Sequence, residues 1–129
     1  MVTWRDYVNG MVHAMHGTKE TQPKGRDMIT VIATSVLKPG CREKFIELTK
    51  ANYANVLAEK GCISYVLNEN MPSGMAAHCQ LSADTLVFVE CWESLEALKA
   101  HLAAPHMAVF REAVTPMRLS SELRIVTPV

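Results

Sequence analysis

Four side chains that could do chemistry lie close together in residues 84–107. They are the carboxyl group of Glu90, the indole of Trp92 and the imidazoles of His101 and His106. A carboxyl group or a neutral imidazole can take or deliver a proton, and an indole offers an apolar wall with one hydrogen-bond donor. These residue types at this spacing indicate acid–base chemistry in a pocket.

The sequence around this group predicts a strand followed by two helices. Residues 85–92 are an almost unbroken run of β-branched, aromatic and apolar residues of strand length. Ser94 then offers an N-cap oxygen, and three leucines follow at helical spacing. Pro105 ends that helix and can occupy the first turn of the next one. The four chemical side chains are therefore expected on one strand and on two helices that follow it directly.

Glu90 is the group whose burial would cost the most free energy. Strand alternation puts Phe88, Glu90 and Trp92 on one face, which we expect to be the face that the helices cover. A carboxyl group buried there must be hydrogen-bonded or paired, or its pKa must rise until it is neutral. Glu90 is therefore either a carboxylate bonded to a helix or an arginine, or a catalytic acid or base. Trp92 is expected to form core or pocket wall in both cases.

The two histidines flank the predicted helix break. His101 borders the apolar stripe of its helix, and His106 lies in the first turn of the next helix, where the helix dipole disfavours positive charge. A lone histidine is more often structural, but two of them beside a strand with an acid also suit a general base. Both roles remain open. The histidines and acids show no metal-ligand spacing, so no metal is predicted.

Two further candidates lie on other elements. Asn52 is the single amide on the apolar stripe of a helix predicted over residues 41–60. It is either a satisfied polar group at the edge of the core or a ligand contact. Tyr65 lies in a predicted strand whose alternation places it on one face with Ile63 and Leu67.

The order of elements predicts an α+β, ferredoxin-like fold. The pattern is split βαβ, with an antiparallel four-stranded sheet and helices on one face. The other face carries apolar residues such as Val87 and Val89, and we expect a second copy of the chain to cover it in a homodimer. Strands are predicted over residues 28–37, 62–70, 85–92 and 121–126, and helices over residues 41–60, between Ser94 and Pro105, and over 105–115.

The predicted division of the chain has two parts. Residues 28–129 form the ferredoxin-like domain, and residues 1–27 form an N-terminal amphipathic helix and a linker. The helix is predicted from apolar residues at i, i+3, i+4, i+7, i+8 and i+11. They are Trp4, Tyr7, Val8, Met11, Val12 and Met15.

Composition excludes several classes of partner. Lys plus Arg and Asp plus Glu both number 13 among 129 residues, so the net charge is zero and nothing resembles the basic surface of a nucleic-acid binder. No apolar run approaches the ~20 residues of a membrane helix, and no secretory signal is predicted. The four cysteines are widely spaced without a C-x-x-C pair. We expect them to be reduced, in a cytoplasmic protein that binds a small molecule.

Four segments resemble a known family. They are Met28-Ile-Thr-Val, the Lys38-Pro39-Gly40 turn, Gly61-Cys-Ile-Ser-Tyr65, and the stretch FVECWESLEALKAHLAAPHM. Together they resemble the antibiotic biosynthesis monooxygenase-like (ABM) family, and within it the small quinol monooxygenases and autoinducer-degrading proteins. The resemblance covers residues 28–129. It is more specific for the fold than for the reaction, because one fold hosts many functions.

The resemblance implies a dimeric α/β barrel, in which two ferredoxin-like sheets pack face to face. Several members oxidise phenols or quinols with O2 and bind neither metal nor flavin, whereas others degrade haem or act on signalling molecules. The haem-degrading members have an Asn in the first strand, where this chain has Ile32-Ala33-Thr34. The histidine spacing after the Trp also differs. We therefore expect neither haem nor any other cofactor.

The leading hypothesis is a cofactor-independent monooxygenase of small aromatic or quinol-like substrates. A base would deprotonate a phenol in a dry pocket, and the phenolate would pass an electron to O2. Two rivals remain: a non-catalytic dimeric small-molecule binding or stress-response module, and an isomerase or lyase of a small carbonyl signalling compound. The candidate residues are His101, His106 and Glu90 as catalytic groups, and Trp92, Phe88, Tyr65 and Asn52 as substrate contacts.

Overall fold

The computed structural model describes residues 27–129, and the predicted N-terminal helix and its linker up to residue 26 lie outside the described residues. The described strands are β1 (Ile29–Leu37), β2 (Cys62–Asn68), β3 (Thr85–Trp92) and β4 (Arg118–Val126). The described helices are α1 (Arg42–Leu57), α2 (Leu95–Ala103) and α3 (Pro105–Val114), followed by a 3-10 turn at Thr115–Met117. None of these helices is both long and apolar enough to cross a membrane.

The strands form one antiparallel sheet in the order β2-β3-β1-β4. This order, with helices after the first and third strands, confirms the predicted ferredoxin-like α+β fold. Glu90 on β3 is paired with Val31 on β1 and with Tyr65 on β2. Because strand side chains alternate, these three residues point to the helix-covered face, where all three are buried. The fully buried core under the helices includes Leu37, Phe45, Val56, Leu86, Trp92, Leu98 and Val114.

Helices α2 and α3 begin at the predicted residues. The Ser94 hydroxyl accepts a hydrogen bond from the Ala97 backbone N–H at 3.1 Å, which satisfies one free amide at the start of α2. Ala104 is extended because it precedes Pro105, and a residue before proline avoids the helical region. Pro105 then begins α3. This break turns the chain between His101 and His106 without separating them far in space.

Helix α1 ends three residues earlier than predicted. It stops at Leu57, and residues 58–61 form a turn in which the Glu59 N–H donates to the Val56 carbonyl and the Cys62 N–H to the Glu59 carbonyl. Gly61 closes the turn with φ +85°, and a Cβ there would lie 2.6 Å from the Cβ of Ala97 on α2. Only glycine allows both that conformation and so close an approach. The turn therefore packs directly on α2, beside His101.

A β-bulge corrects one detail of the predicted strand β2. The register with β3 shifts between Cys62 and Ser64. Tyr65 keeps its place on the helix side, but Ile63 packs with Met28 and Cys91 on the opposite face. Ile63 and Tyr65 therefore do not share a face as simple alternation predicted, because Ile63 is the extra residue of the bulge between Cys62 and Ser64.

The last strand begins earlier than predicted. β4 starts at Arg118 rather than Ser121, and Arg118 is paired with Leu37 at the end of β1. The Arg118 side chain reaches across the helix-covered face, where its Nε donates to the Ser35 hydroxyl at 3.0 Å. This places a guanidinium group at the end of the sheet face that carries Glu90.

Candidate active site

A cavity of about 170 Å³ lies between the sheet and helices α2 and α3. Its lining includes four of the residues predicted from the sequence, namely Tyr65, Phe88, Glu90 and His101. An apolar protein cavity of ~150 Å³ is known to hold a benzene molecule. The present cavity is therefore of a size for a single aromatic ring, with polar groups at its edge.

Glu90 is the acid of this cavity. Its side chain is only 6% exposed, and its Oε1 accepts a hydrogen bond from the Trp92 Nε1–H at 3.0 Å. Burial raises the pKa of Glu90 from 4.5 to about 7; the Trp92 hydrogen bond opposes this rise, and the neighbouring Glu59 adds to it. A carboxyl group with this pKa can deliver or accept a proton near neutral pH.

His101 is the imidazole of this cavity. It is 2% exposed, and its Nδ1 lies 2.8 Å from Oε2 of Glu59. Burial lowers the pKa of His101, and Glu59 partly opposes this effect. Because a carboxylate can only accept a hydrogen bond, the proton of the neutral ring lies on Nδ1. Nε2 then carries the lone pair of the ring.

Aromatic rings fix the plane of this imidazole. The Trp92 ring lies against His101 at 4.6 Å between centroids, and the Tyr65 ring meets it edge-on at 5.6 Å. Tyr65 also packs on Phe88 at 5.1 Å. Burial raises the pKa of Tyr65, so this phenol stays neutral. The His101 imidazole therefore packs against aromatic rings on one side and is hydrogen-bonded to Glu59 on the other.

Glu59 is a residue of the candidate site that no sequence pattern predicted. Its two carboxylate oxygens bind two imidazoles: Oε2 contacts His101 Nδ1, and Oε1 lies 2.5 Å from His106 Nε2. Nδ1 of His106 is buried without a hydrogen-bond partner in the described part of the chain. In the sequence, Glu59 appeared only as one charged residue near the end of a helix. The neighbouring Gly61, a recognisable cap, was the single signal that the chain turns there.

The remaining predicted residues lie outside the cavity lining. Trp92 is fully buried behind Glu90. His106 lines a second, more open cavity of about 340 Å³ on the far side of Glu59. The Asn52 amide contacts Met107 Sδ at 3.5 Å, and its oxygen accepts from Asn55. Met107 does line the cavity. Trp92 thus reaches the cavity through Glu90 and Asn52 through Met107, whereas His106 is linked to it through Glu59 and His101.

The described residues hold no group of three His, Cys, Asp or Glu side chains suited to a metal ion. Glu59 instead occupies the nearest nitrogens of His101 and His106 with hydrogen bonds. The chemistry that follows directly from this geometry is proton transfer between a small ligand, one imidazole and one carboxyl group.

Residues 28–113 match the model of the family described as antibiotic biosynthesis monooxygenase. Among curated relatives, the chain is 34% identical over 103 residues to the probable quinol monooxygenase YgiN of Escherichia coli. That alignment covers 78% of this chain and 98% of the relative.

Solved structures show the same architecture. Rv0793 of Mycobacterium tuberculosis superposes with a TM-score of 0.65 at 28% identity, covering 79% of this chain and 95% of that one. PA3566 of Pseudomonas aeruginosa superposes with a TM-score of 0.66 at 21% identity, covering 81% and 97%. At that lower identity the likeness supports the fold alone.

Proposed function

The chain belongs to the antibiotic biosynthesis monooxygenase family, and we propose that it is a cofactor-independent monooxygenase of small quinol-like aromatic substrates. The observation that carries this proposal is a ring-sized cavity that holds both an oriented neutral imidazole, His101, and a carboxyl group near its titration point, Glu90. The similarity to the probable quinol monooxygenase of Escherichia coli supports the same substrate class.

His101 is the proposed general base. Nε2 takes the proton of a quinol hydroxyl while Nδ1–H remains bonded to Glu59, which stabilises the imidazolium that forms. The quinolate then transfers one electron to O2, giving a semiquinone and superoxide within the cavity. Burial favours this step because few water molecules compete for the reacting groups.

The two radicals combine, and a carbon–oxygen bond forms on the ring. The resulting hydroperoxide loses the hydrogen of that ring carbon as its O–O bond breaks, and the products are a hydroxylated quinone and water. The overall balance is quinol plus O2 to hydroxyquinone plus H2O. Glu90 in its protonated form is the proposed proton donor to the developing oxygen anion. An ionised Glu90 would instead place a second negative charge in the cavity and would disfavour formation of that anion.

The other candidate residues act in support. Phe88 and Tyr65 form the proposed walls for the ring. Trp92 positions Glu90 through its indole N–H. His106 acts through Glu59, and Asn52 through the cavity residue Met107. These two are therefore proposed as positioning residues, which do not touch the substrate.

The proposed active form is a homodimer. The sheet face opposite the described helices carries half-buried apolar side chains in neighbouring strands, among them Ile32, Val66, Val87 and Val89. Strand β4 adds Val126, which pairs with Thr30 on this face and is 45% exposed. A second copy packed on this surface would remove these groups from water.

Oxygen uptake by metal-free protein over a panel of hydroquinones tests the function. We expect turnover with at least one of them, and a fall in kcat of at least ~100-fold in His101→Asn, the size of a general-base contribution. His78→Asn is the matched control, because His78 lies on the exposed β2–β3 connection, bonded to Ser73 and Gln80. Turnover without O2 would favour an isomerase or lyase. Binding without any turnover would favour a ligand-binding module, and an active His101→Asn would remove His101 as the base.

A further inference from the structure

The cavity lining combines an acid and an imidazole, Glu90 and His101, with two arginines, Arg111 and Arg118. Arg118 lies toward the other end of the sheet face from Glu90. Burial lowers the pKa of His101 and that of Arg118, and Arg111 lies close enough to both to lower each pKa further. Both arginines use part of their guanidinium group within the protein: Arg118 Nε donates to the Ser35 hydroxyl, and Arg111 Nη2 donates to the Leu102 carbonyl at 2.9 Å. Neither bond neutralises the positive charge.

No carboxylate pairs with Arg118 or Arg111 among the described residues. Glu122 also lines the cavity, but its Oε1 lies 2.8 Å from Nη2 of Arg124. A half-buried guanidinium without a counter-charge is costly. Burial lowers the pKa of Arg118, yet a guanidinium remains protonated at neutral pH.

The strand register sets the distance between Glu90 and Arg118. Glu90 is paired with Val31, Phe88 with Ala33, and the Arg118 side chain is bonded to Ser35. Val31 and Ser35 are four residues apart, about 13 Å along a strand. The Glu90 and Arg118 side chains occupy part of that length. The length that remains between these two side chains, next to Phe88, suits one six-membered ring with a substituent at each end.

We propose that the substrate is a hydroxylated aromatic ring bearing a carboxylate, which Arg118 binds while the ring hydroxyl meets His101 and Glu90. This assignment rests on the proposed function for the role of the hydroxyl. A guanidinium binds a carboxylate with two parallel, charge-assisted hydrogen bonds, which fixes the direction of the ring as well as its affinity. Arg118 is thus the specificity-determining residue, and Arg111 adds to the positive potential.

Binding is measured first, under anaerobic conditions, so that the result does not depend on turnover. Calorimetric titration compares 4-hydroxybenzoate with phenol and with 4-hydroxybenzylamine, which differ in the charge at the end opposite the hydroxyl. We expect 4-hydroxybenzoate to bind about ten- to a hundredfold more tightly than phenol, and the cationic ring to bind most weakly. Equal affinities for the first two ligands, or the reverse order, would overturn the proposal even if the protein oxidises neutral quinols.

Variants then assign the preference to Arg118. Arg118→Gln should lose the preference for 4-hydroxybenzoate while its affinity for phenol changes less than twofold, and Arg118→Lys should retain part of it. Lys44→Gln on α1 is the control, because Lys44 is 56% exposed, is paired with Glu47 and does not line the cavity. The Arg118 guanidinium also lies over the Phe45 ring, 5.6 Å from its centroid. A loss of affinity for both ligands together with a lower melting temperature would show that Arg118 only supports Phe45 and Ser35, against the proposal. If Arg118→Gln does not fold, the proposal is tested by the order of affinities in the wild type and by the affinities of Arg118→Lys for the same ligands.

In turnover, the same preference should appear in KM. With 2,5-dihydroxybenzoate and unsubstituted hydroquinone as a matched pair, Arg118→Gln should raise KM for the carboxylated quinol by the factor found in binding. KM for unsubstituted hydroquinone should rise by a smaller factor, because that ring has no carboxylate for Arg118 to bind. Absence of oxygen uptake with every quinol would refute the proposed function, whereas the anaerobic affinities would still test the assignment of Arg118.

Discussion

The buried carboxyl group of Glu90 should make the stability of this protein depend on pH in a predictable direction. The pKa of Glu90 is raised from 4.5 to about 7 because the side chain is buried. Below pH 4.5 the group is protonated in both the folded and the unfolded chain. Between pH 4.5 and 7 only the folded chain keeps the proton, so stability falls as pH rises through this window, and above pH 7 it levels off.

The size of this effect follows from the same two values. Each tenfold change in proton affinity corresponds to about 1.4 kcal/mol, so the rise from 4.5 to about 7 costs the ionised folded protein about 3 kcal/mol. Glu90→Gln keeps a neutral side chain of the same shape at all pH values, and its oxygen can still accept the Trp92 hydrogen bond. We therefore compare the free energies of unfolding of the two proteins. The variant's value minus the wild-type value should be about 3 kcal/mol larger at pH 8 than at pH 4.

Urea denaturation of both proteins at a series of pH values measures this difference. The comparison isolates Glu90, because the opposite trend from His101, whose pKa is lowered, is present in both proteins and cancels on subtraction. Activity should move in parallel: kcat/KM of the wild type should fall above about pH 7, as Glu90 ionises, and Glu90→Gln should lose that falling limb. Parallel stability profiles for the two proteins would refute the account of Glu90 as a buried, neutral acid.

Glu59→Gln should lower kcat at least ~10-fold with little change in KM, because an amide no longer fixes the proton on Nδ1 of His101; an unchanged kcat and pH profile would show that the contact is only structural. Gly61→Ala should destabilise the fold by about 2 kcal/mol or more, measured by denaturation, because its φ is positive and α2 is in contact. Light scattering at micromolar concentration should give a dimer, and a monomer would contradict the proposed packing of two sheets. A chain starting at Met28 should fold and remain dimeric, with lower stability or a more accessible cavity; failure to fold would place residues 1–27 in the core.

The fold could be predicted because its signals are local. Strand β3 was predicted with its observed bounds, Thr85–Trp92, since a run of apolar and β-branched residues of that length has few alternatives. The Ser94 cap and the Pro105 start also depend on neighbouring residues only. The bulge at Ile63 was missed because alternation alone cannot locate an extra residue in a strand.

The site was only partly predictable, because its decisive contacts are distant in sequence. Glu59 is separated from His101 by 42 residues and from His106 by 47. Nothing in the sequence near Glu59 distinguishes it from the exposed acids of the preceding helix. Gly61 was recognisable as a cap, but its packing against Ala97, which brings Glu59 to the histidines, depends on how two helices meet. The position of Arg118 was also not predictable, because strand β4 starts at Arg118, before the segment whose sequence pattern predicts a strand.

The two acids of the site illustrate how one protein can hold a neutral acid beside a neutral base. In water, a carboxylic acid next to an imidazole gives up its proton, because the pKa of Glu lies well below that of His. Here burial reverses that order: the pKa of Glu90 rises to about 7, and that of His101 falls below 6.5. Glu59 has a different task, because its oxygens accept hydrogen bonds from both imidazoles.

Between the two shifted values the cavity contains a protonated Glu90 and an unprotonated His101 at the same time. Only in that range can His101 accept the proton of a ring hydroxyl while Glu90 donates one to reduced oxygen. The profile of kcat/KM against pH should therefore be bell-shaped, with the rising limb set by His101 and the falling limb by Glu90. If Glu90 were instead the base, activity would rise through pH 7 and remain high, and His101→Asn would leave most of it intact.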